Sequence, residues 1–169
     1  IWLEASYCPV IDNQGKVSKV VKIASDVTHT VQSLHDLSAQ VSAVSRSMAT
    51  IEFDTKGNIL KANDNFLQTT GYTSAELEGQ HHRIFCSKAL SSSEEYRRFW
   101  QKLNNGEFLS GTFQRVNKQG ETLWLEATYN PIFDTQGKLY KIMKFATDST
   151  ANIEANKRTG EVAYESSMN

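Results

Sequence analysis

The sequence predicts an α+β fold, a five-stranded antiparallel sheet with short helices on one face and a helix flanking it at either end. Three observations predict it. A short strand pair beginning at Ala49 is followed by several brief helical segments, and three longer runs with two-residue alternation then close the domain. The closing hairpin is also written twice. Trp2 to Thr28 recurs without a gap as Trp124 to Thr150, 122 positions later, with Trp2/Trp124, Glu4/Glu126, Tyr7/Tyr129, Pro9/Pro131, Gly15/Gly137, Lys22/Lys144, Asp26/Asp148 and Thr28/Thr150 identical. A repeat of that period is about one small domain. The expected division is therefore 1–28 as the C-terminal hairpin of a preceding module, 29–48 as a linker helix, 49–150 as a complete module and 151–169 as the start of a C-terminal helix. On this reading the chain is cut inside a domain and forms part of a tandem array.

Taken in order, Trp2 to Pro9 and Lys16 to Asp26 read as two strands joined at Asp12-Asn13-Gln14-Gly15. A two-stranded hairpin is marginal in water, so this pair needs contacts from elsewhere. From Thr30 to Met48 the apolar residues Val31, Leu34, Leu37, Val41, Val44 and Met48 fall at helical spacing close to a heptad. That narrow seam suits either a cap lying on the next sheet or a parallel two-stranded contact between chains.

The complete module opens with Ala49–Phe53 and Gly57–Ala62, turning at Asp54 to Gly57. Asn63-Asp64-Asn65 suits a helix start, Gly71 a stop, and Thr73 with Glu76 forms a capping-box pair for the next helix. Ser91 to Asn105 is the clearest helix, with Ser92 or Ser93 as cap and Tyr96, Phe99, Trp100 and Leu103 on one face. The three closing strands are Phe108–Asn117, Glu121–Phe133 and Lys138–Thr147. Alternation puts Leu109, Gly111, Phe113 and Arg115 on one face of the first, and Leu123, Leu125, Ala127 and Tyr129 on one face of the second. Trp124 then lies on the opposite face and needs a cover, for which the Thr30–Met48 helix or a partner chain is the expectation.

Composition narrows the function. With 39% hydrophobic and 22% charged residues and a formal charge of -1, the chain offers no field that would attract nucleic acid or an anionic membrane. Its uncharged stretches fall short of the roughly 18 apolar residues of a membrane span, and no direct membrane insertion is expected. Cys8 and Cys86 do not form a disulfide framework, and reduced thiols in the cytoplasm are the simplest reading. No Gly-x-Ser-x-Gly elbow, phosphate-cradling loop or His-Glu-x-x-His zinc helix is present, so the chain does not read as an enzyme.

Gly57-Asn58-Ile59-Leu60-Lys61-Ala62-Asn63, Gly71-Tyr72-Thr73 through His81-His82, Asn105-Gly106-Glu107-Phe108, Gly120 through Trp124, Asn130-Pro131-Ile132 and the closing Asp148-x-Thr150 together resemble the PAS family over about Ala49 to Thr150. Within it, the chain looks most like the tandem cytoplasmic PAS domains of bacterial methyl-accepting chemotaxis transducers of the aerotaxis and biofilm-dispersion type. Ala151 to Asn169, with Gly160-Glu161-Val162-Ala163, resembles the beginning of a receptor's signalling helix. The resemblance implies a PAS fold and a sensory or signal-relay role, in which a redox, gas or small-molecule cue passes to an effector through the flanking helices. The competing reading is a ligand-free PAS module serving only dimerisation and protein–protein interaction.

The resemblance also implies a cavity between the sheet and the short helices, for which His82, Phe85, Trp100, Leu109, Phe113, Arg115 and Leu125 are the lining candidates. Neighbouring helical residues point about 100° apart, so only one of His81 and His82 can face inward. His82 is then a candidate haem ligand, although Cys86 is not at a metal-ligand spacing from it and no other metal site is expected. FAD ranks above haem, because Gly79-Gln80-x-His82, Trp100 and Gly106-Glu107 resemble flavin-binding aerotaxis transducers. Cys86 to Ser91 and Arg115 depart from that pattern, so the cofactor is left open. Arg115 is expected to escape to solvent from the strand end, or else to meet an acid or an anionic ligand. Asp148 and Thr150 are the expected relay residues into the C-terminal helix. The expected partners are a second copy of the chain, joined through Thr30–Met48, the adjacent PAS domain and the downstream signalling helix.

Overall fold

A computed structural model describes the backbone of residues 1–167 and the side chains through residue 160. The chain forms two compact units, residues 1–44 and 45–169. In the first, strands β1 (Leu3–Ile11) and β2 (Val17–Asp26) pair antiparallel and lead into helix α1 (Thr28–Ser47), which runs across the boundary. Asp12 shapes the hairpin turn by accepting from the backbone amides of Gln14 and Lys16. Along the apolar seam of α1, Leu34, Leu37, Val41 and Val44 are exposed, while Val31 and Met48 at its ends are half-buried.

The second unit opens with β3 (Ala49–Phe53) and β4 (Ile59–Ala62). Their turn places Gly57 at φ 90, where a Cβ would lie 2.6 Å from His81 Nε2 and 3.0 Å from Trp100 Cζ2. A side chain there meets both strain and a clash, so the position needs glycine. Helix α2 (Asp64–Thr70) follows, capped by Asn63, whose side chain accepts from the Phe66 amide and from Thr50 of β3. One asparagine thus starts a helix and fastens it to the sheet. Helix α3 (Ser74–Leu77) carries the Thr73–Glu76 capping box that the spacing predicted.

A 3₁₀ turn (His82–Phe85) and a single helical turn, α4 (Lys88–Ser91), precede α5 (Glu94–Asn104), capped by Ser93. Strands β5 (Leu109–Val116), β6 (Thr122–Phe133) and β7 (Leu139–Asp148) lead to α6 (Thr150–Ser167). The sheet order is β4-β3-β7-β6-β5, antiparallel at every pairing, so it is five-stranded as expected, with β7 central between β3 and β6. Its inner face supplies Ile51, Phe53, Leu125, Tyr129, Ile142 and Lys144 to a core completed by Phe66, Leu77, Phe85, Trp100 and Leu103 from the helical segments.

On the outer face, Trp124 is half-buried, and Lys157 of α6 lies 4.8 Å from its ring centroid. The cover expected from Thr30–Met48 or a partner chain is therefore supplied, at least in part, by the C-terminal helix. Of the Gly160-to-Ala163 signature, residues 161–163 lie outside those with described side chains.

Candidate functional site

The inner face of the sheet carries two cations where alternation alone would place apolar residues. On β7, Lys144 sits between Ile142 and Ala146 and is 1% exposed; on β5, Arg115 is 5% exposed. Tyr129 of β6 lies between them, paired across the strands with Lys144. Arg115 donates from Nη2 to Tyr129 Oη at 3.1 Å and from Nη1 to the Gln114 carbonyl at 2.7 Å. It does not escape to solvent, as the sequence reading favoured: ring faces hold it, with Phe113 5.1 Å and Phe99 6.0 Å from its guanidinium carbon. Lys144 Nζ stands 4.9 Å from the Tyr129 ring centroid and 5.8 Å from that of Phe66.

Above Tyr129 the 3₁₀ turn delivers His82, fully buried. Its Nε2 is 3.2 Å from Tyr129 Oη and its Nδ1 is 2.9 Å from Tyr96 Oη. Tyr129 Oη accepts from Arg115, and a neutral His82 bridges the two phenols, one ring nitrogen donating and the other accepting. The imidazole is neutral, because burial, reinforced by the positive charges of Arg115 and Lys144, lowers its pKa well below the ordinary histidine value. Burial pushes the Tyr96 phenol up to about 12 and raises the Cys86 thiol, so both remain protonated at neutral pH. Lys144 is lowered from the ordinary lysine value by burial, with Tyr129 opposing and Arg115 adding to the effect.

Only one of the two neighbouring histidines faces inward, but the division comes from an extended cap at His81 followed by a 3₁₀ turn that begins at His82, rather than from two residues of one helix. His81 faces out to cap the 3₁₀ turn, its Nε2 donating to the Lys56 carbonyl at 2.8 Å while its Nδ1 accepts from the Arg83 amide. His82 faces in. Of the other lining candidates, Trp100 meets His82 and Phe53 edge-on, and Phe85 packs against Phe66 and His82. Phe113 contacts Phe99 and Tyr129, and Leu125 is buried in the core. Leu109, half-buried on the edge strand, instead borders an outer groove with Phe99, Arg98 and Lys102.

The geometry does not suit haem as it stands. Both His82 nitrogens are engaged, leaving none for iron, and among the described residues no cluster of three or more His, Cys, Asp or Glu could hold a metal. Space beside the ring is taken by Phe53, Phe85, Tyr96, Phe99, Trp100 and Tyr129, whose centroids lie 5.2 to 6.2 Å from that of His82. The same rings occupy the space that a three-ring isoalloxazine stacked beside His82 would need.

Sequence reasoning missed Lys144 and the bridging roles of Tyr96 and Tyr129. One signal was available: Ile142, Lys144 and Ala146 share a face, and a charged residue in an otherwise apolar alternation asks for a partner.

Asp148 and Thr150 form a latch where β7 turns into α6. Asp148 Oδ1 accepts from the Thr150 amide at 2.9 Å and from its hydroxyl. Thr150 Oγ1 in turn accepts from the Trp124 amide at 2.9 Å, and the Ser149 amide donates to the Trp124 carbonyl at 2.8 Å. The start of the helix is thereby bonded to the middle strand of the closing meander. Asp26 and Thr28 make the same bonds to Trp2 at the start of α1, with Trp2 N to Thr28 Oγ1 again 2.9 Å.

A family model described as the PAS fold matches residues 59–146. The chain is 47% identical over 165 residues to the biofilm dispersion protein BdlA of Pseudomonas aeruginosa, covering 98% of this chain and 40% of that protein. It is also 32% identical over 97 residues to the aerotaxis receptor of Escherichia coli, covering 57% of this chain and 19% of the receptor. The chain thus spans well under half the length of these relatives. Among solved structures it is similar to an RNA-binding light-oxygen-voltage receptor, with a TM-score of 0.63 at 18% identity, covering 99% of this chain and 44% of that one. It is likewise similar to the blue-light photoreceptor Vivid, with a TM-score of 0.52 at 21% identity, covering 60% of this chain and 78% of that one. At those identities the structural likeness concerns the fold alone. With just over half of its length matched by the family model and the five-stranded sheet in place, the chain belongs to the PAS family.

Proposed function

We propose that this chain is a sensory and signal-relay portion of a bacterial chemotaxis-type transducer. Its complete PAS domain would bias the flanking helices in response to a redox, gas or small-molecule cue. The observation that carries this reading is the latch: Asp148, Thr150 and the Trp124 backbone join the sheet to α6, so a change of sheet geometry has a bonded route into the helix. Identity to a biofilm dispersion protein and to an aerotaxis receptor supports the biological setting. In this reading residues 1–28 are the closing hairpin of a preceding PAS domain, 29–48 the connecting helix, 49–150 the sensing domain and 151–169 the start of the output helix.

The inner-face cluster about His82, Trp100 and Arg115 is the part that would receive the cue, and the role is non-enzymatic. A homodimer joined along the exposed seam of α1 fits its heptad-like spacing. No helix among the described residues is long and apolar enough to cross a membrane, and we assign the portion to the cytoplasm.

The deciding experiment replaces Asp148 with Ala in the whole receptor and measures its behavioural output. Loss or locking of the response is expected; an unaltered response overturns the relay. Light scattering of the full receptor checks the dimer, which monomers at high concentration would contradict.

A further inference from the structure

The buried cluster is short of acceptors. Among the described residues, Trp100 Nε1, Arg115 Nε and Lys144 Nζ are buried donors without a well-aligned hydrogen bond; the hydroxyls beside Trp100 and Lys144, those of Tyr96 and Tyr129, are phenols and bring no negative charge. The ion pairs among the described residues are made elsewhere, as in Lys141–Glu52 and Lys118–Glu76, and none involves Arg115 or Lys144. An uncompensated buried cation is among the costliest features a core can hold, and two of them flank Tyr129. Lysine can relieve the cost by shedding its proton, whereas arginine cannot. Ring faces cushion both cations but leave donors unanswered. The deficit is thus of negative charge and of acceptor oxygens together.

The surroundings suggest the kind of molecule that would correct it. A groove of about 370 Å³ lies along the free edge of β5, bordered by Ser87, Leu90, Phe113 and Arg115. Ser87 and Leu90, the cap and a residue of the single turn α4, form one side of it, and such a turn has little cooperative stability of its own. The aromatic and aliphatic walls favour an apolar body on the ligand. Glu95 also borders the groove, which disfavours a polyanion.

We propose that this PAS core takes a small organic monocarboxylate, entering along the β5 edge, with its carboxylate on the Arg115 guanidinium in place of the Tyr129 hydroxyl, on the side that faces Lys144. The proposal rests on the sensory reading and names the class of cue. A planar carboxylate matches the guanidinium fork and supplies the missing acceptors. Its negative charge compensates both cations and holds Lys144 in its charged form.

The test uses the full chain and compares benzoate and acetate with their neutral amides, benzamide and acetamide, at matched ionic strength, with inorganic phosphate as a separate arm. Calorimetry and thermal unfolding report binding. Benzoate is expected to bind and raise the unfolding temperature, and benzamide to do neither. Lys144→Met, which keeps the side chain's length without its charge, is expected to weaken benzoate at least about tenfold, the cost of losing one charge-assisted partner. Without ligand it should unfold at a higher temperature than the parent, because an unpaired buried cation is gone.

Equal binding of amide and carboxylate overturns the proposal, as does the absence of any carboxylate response. Stabilisation by phosphate alone overturns the carboxylate assignment. If Lys144→Met does not fold, the benzoate-against-benzamide comparison on the unaltered chain still decides. Carboxylate binding that survives together with a failed Asp148→Ala test would overturn the relay while leaving the ligand class intact.

Discussion

Tyr7 and Tyr129 occupy the same position of the same repeated hairpin, yet Tyr7 is 66% exposed and Tyr129 is fully buried. Their partners repeat as well. Lys22 sits opposite Tyr7 with Nζ 5.4 Å from the ring centroid, and Lys144 sits opposite Tyr129 at 4.9 Å. Register, turn and latch are the same in both copies, so these are properties of the hairpin's own sequence. Burial differs because only the second copy is flanked by β3 and β5 and roofed by the helical segments. Within these 169 residues the Lys22–Tyr7 pair has no neighbouring strands and stays a surface contact, whereas the strands and helices around Lys144–Tyr129 make the same pair the centre of an electrostatic problem; on the proposed reading a preceding PAS domain would supply the first pair with the same surroundings.

Paired substitutions can break that comparison. The largest difference is expected from Leu125→Ala against Leu3→Ala. Leu125 is 2% exposed and Leu3 is 51% exposed. The first should lower stability by about 3 kcal/mol through lost burial and a cavity, and the second by less than about 1 kcal/mol. Urea unfolding followed by circular dichroism reads both, and equal effects would mean that the two copies are packed alike.

Tyr129→Phe against Tyr7→Phe comes next. Removing the Tyr129 hydroxyl strands both Arg115 Nη2 and His82 Nε2, at a cost of about 2 kcal/mol. The hydroxyl of exposed Tyr7 should be silent in the same measurement.

Acid sharpens the difference further. The His82 pKa is lowered in the folded state, so its neutral form contributes stability that is fully present above the ordinary value of 6.5 and is lost as pH falls below it. The unfolded chain takes up a proton that the folded one refuses, so stability should drop by up to about 1.4 kcal/mol per pH unit there. His82→Gln should flatten that slope, and an unchanged slope would move its origin to another group.

The smallest effect belongs to the latch, where the copies should agree. Thr150→Ala and Thr28→Ala should each weaken the bond to the tryptophan amide by about 1 kcal/mol. Hydrogen exchange at Trp124 and Trp2 should then accelerate by similar factors, and a response at only one site would break the equivalence.

Much of the module could be read in advance because its signals are local. Thr73–Glu76, Asn63 and Gly71 mark helix ends by bonds made within one turn, and two-residue alternation assigns the faces of the three closing strands. The short 3₁₀ turn and α4 were less legible, since four residues carry no periodicity. In the site, the inward turn of a single histidine could be read, although it arises from an extended cap followed by a 3₁₀ turn and not from helix neighbours. Its partners could not, because Tyr96 and Tyr129 stand 14 and 47 residues away along the chain.

The repeat, the faces of the strands, the turns and the Asp-x-Thr latch could be read from the chain alone, since each depends on residues a few positions apart or on an alternation that the backbone enforces. Only the tertiary structure decided that Arg115 stays inside, that Lys144 lies beside Tyr129 without an acid, and that Lys157 of α6 comes to rest over Trp124. Those outcomes depend on which elements stack above a face, and charge becomes costly only once stacking has removed the water.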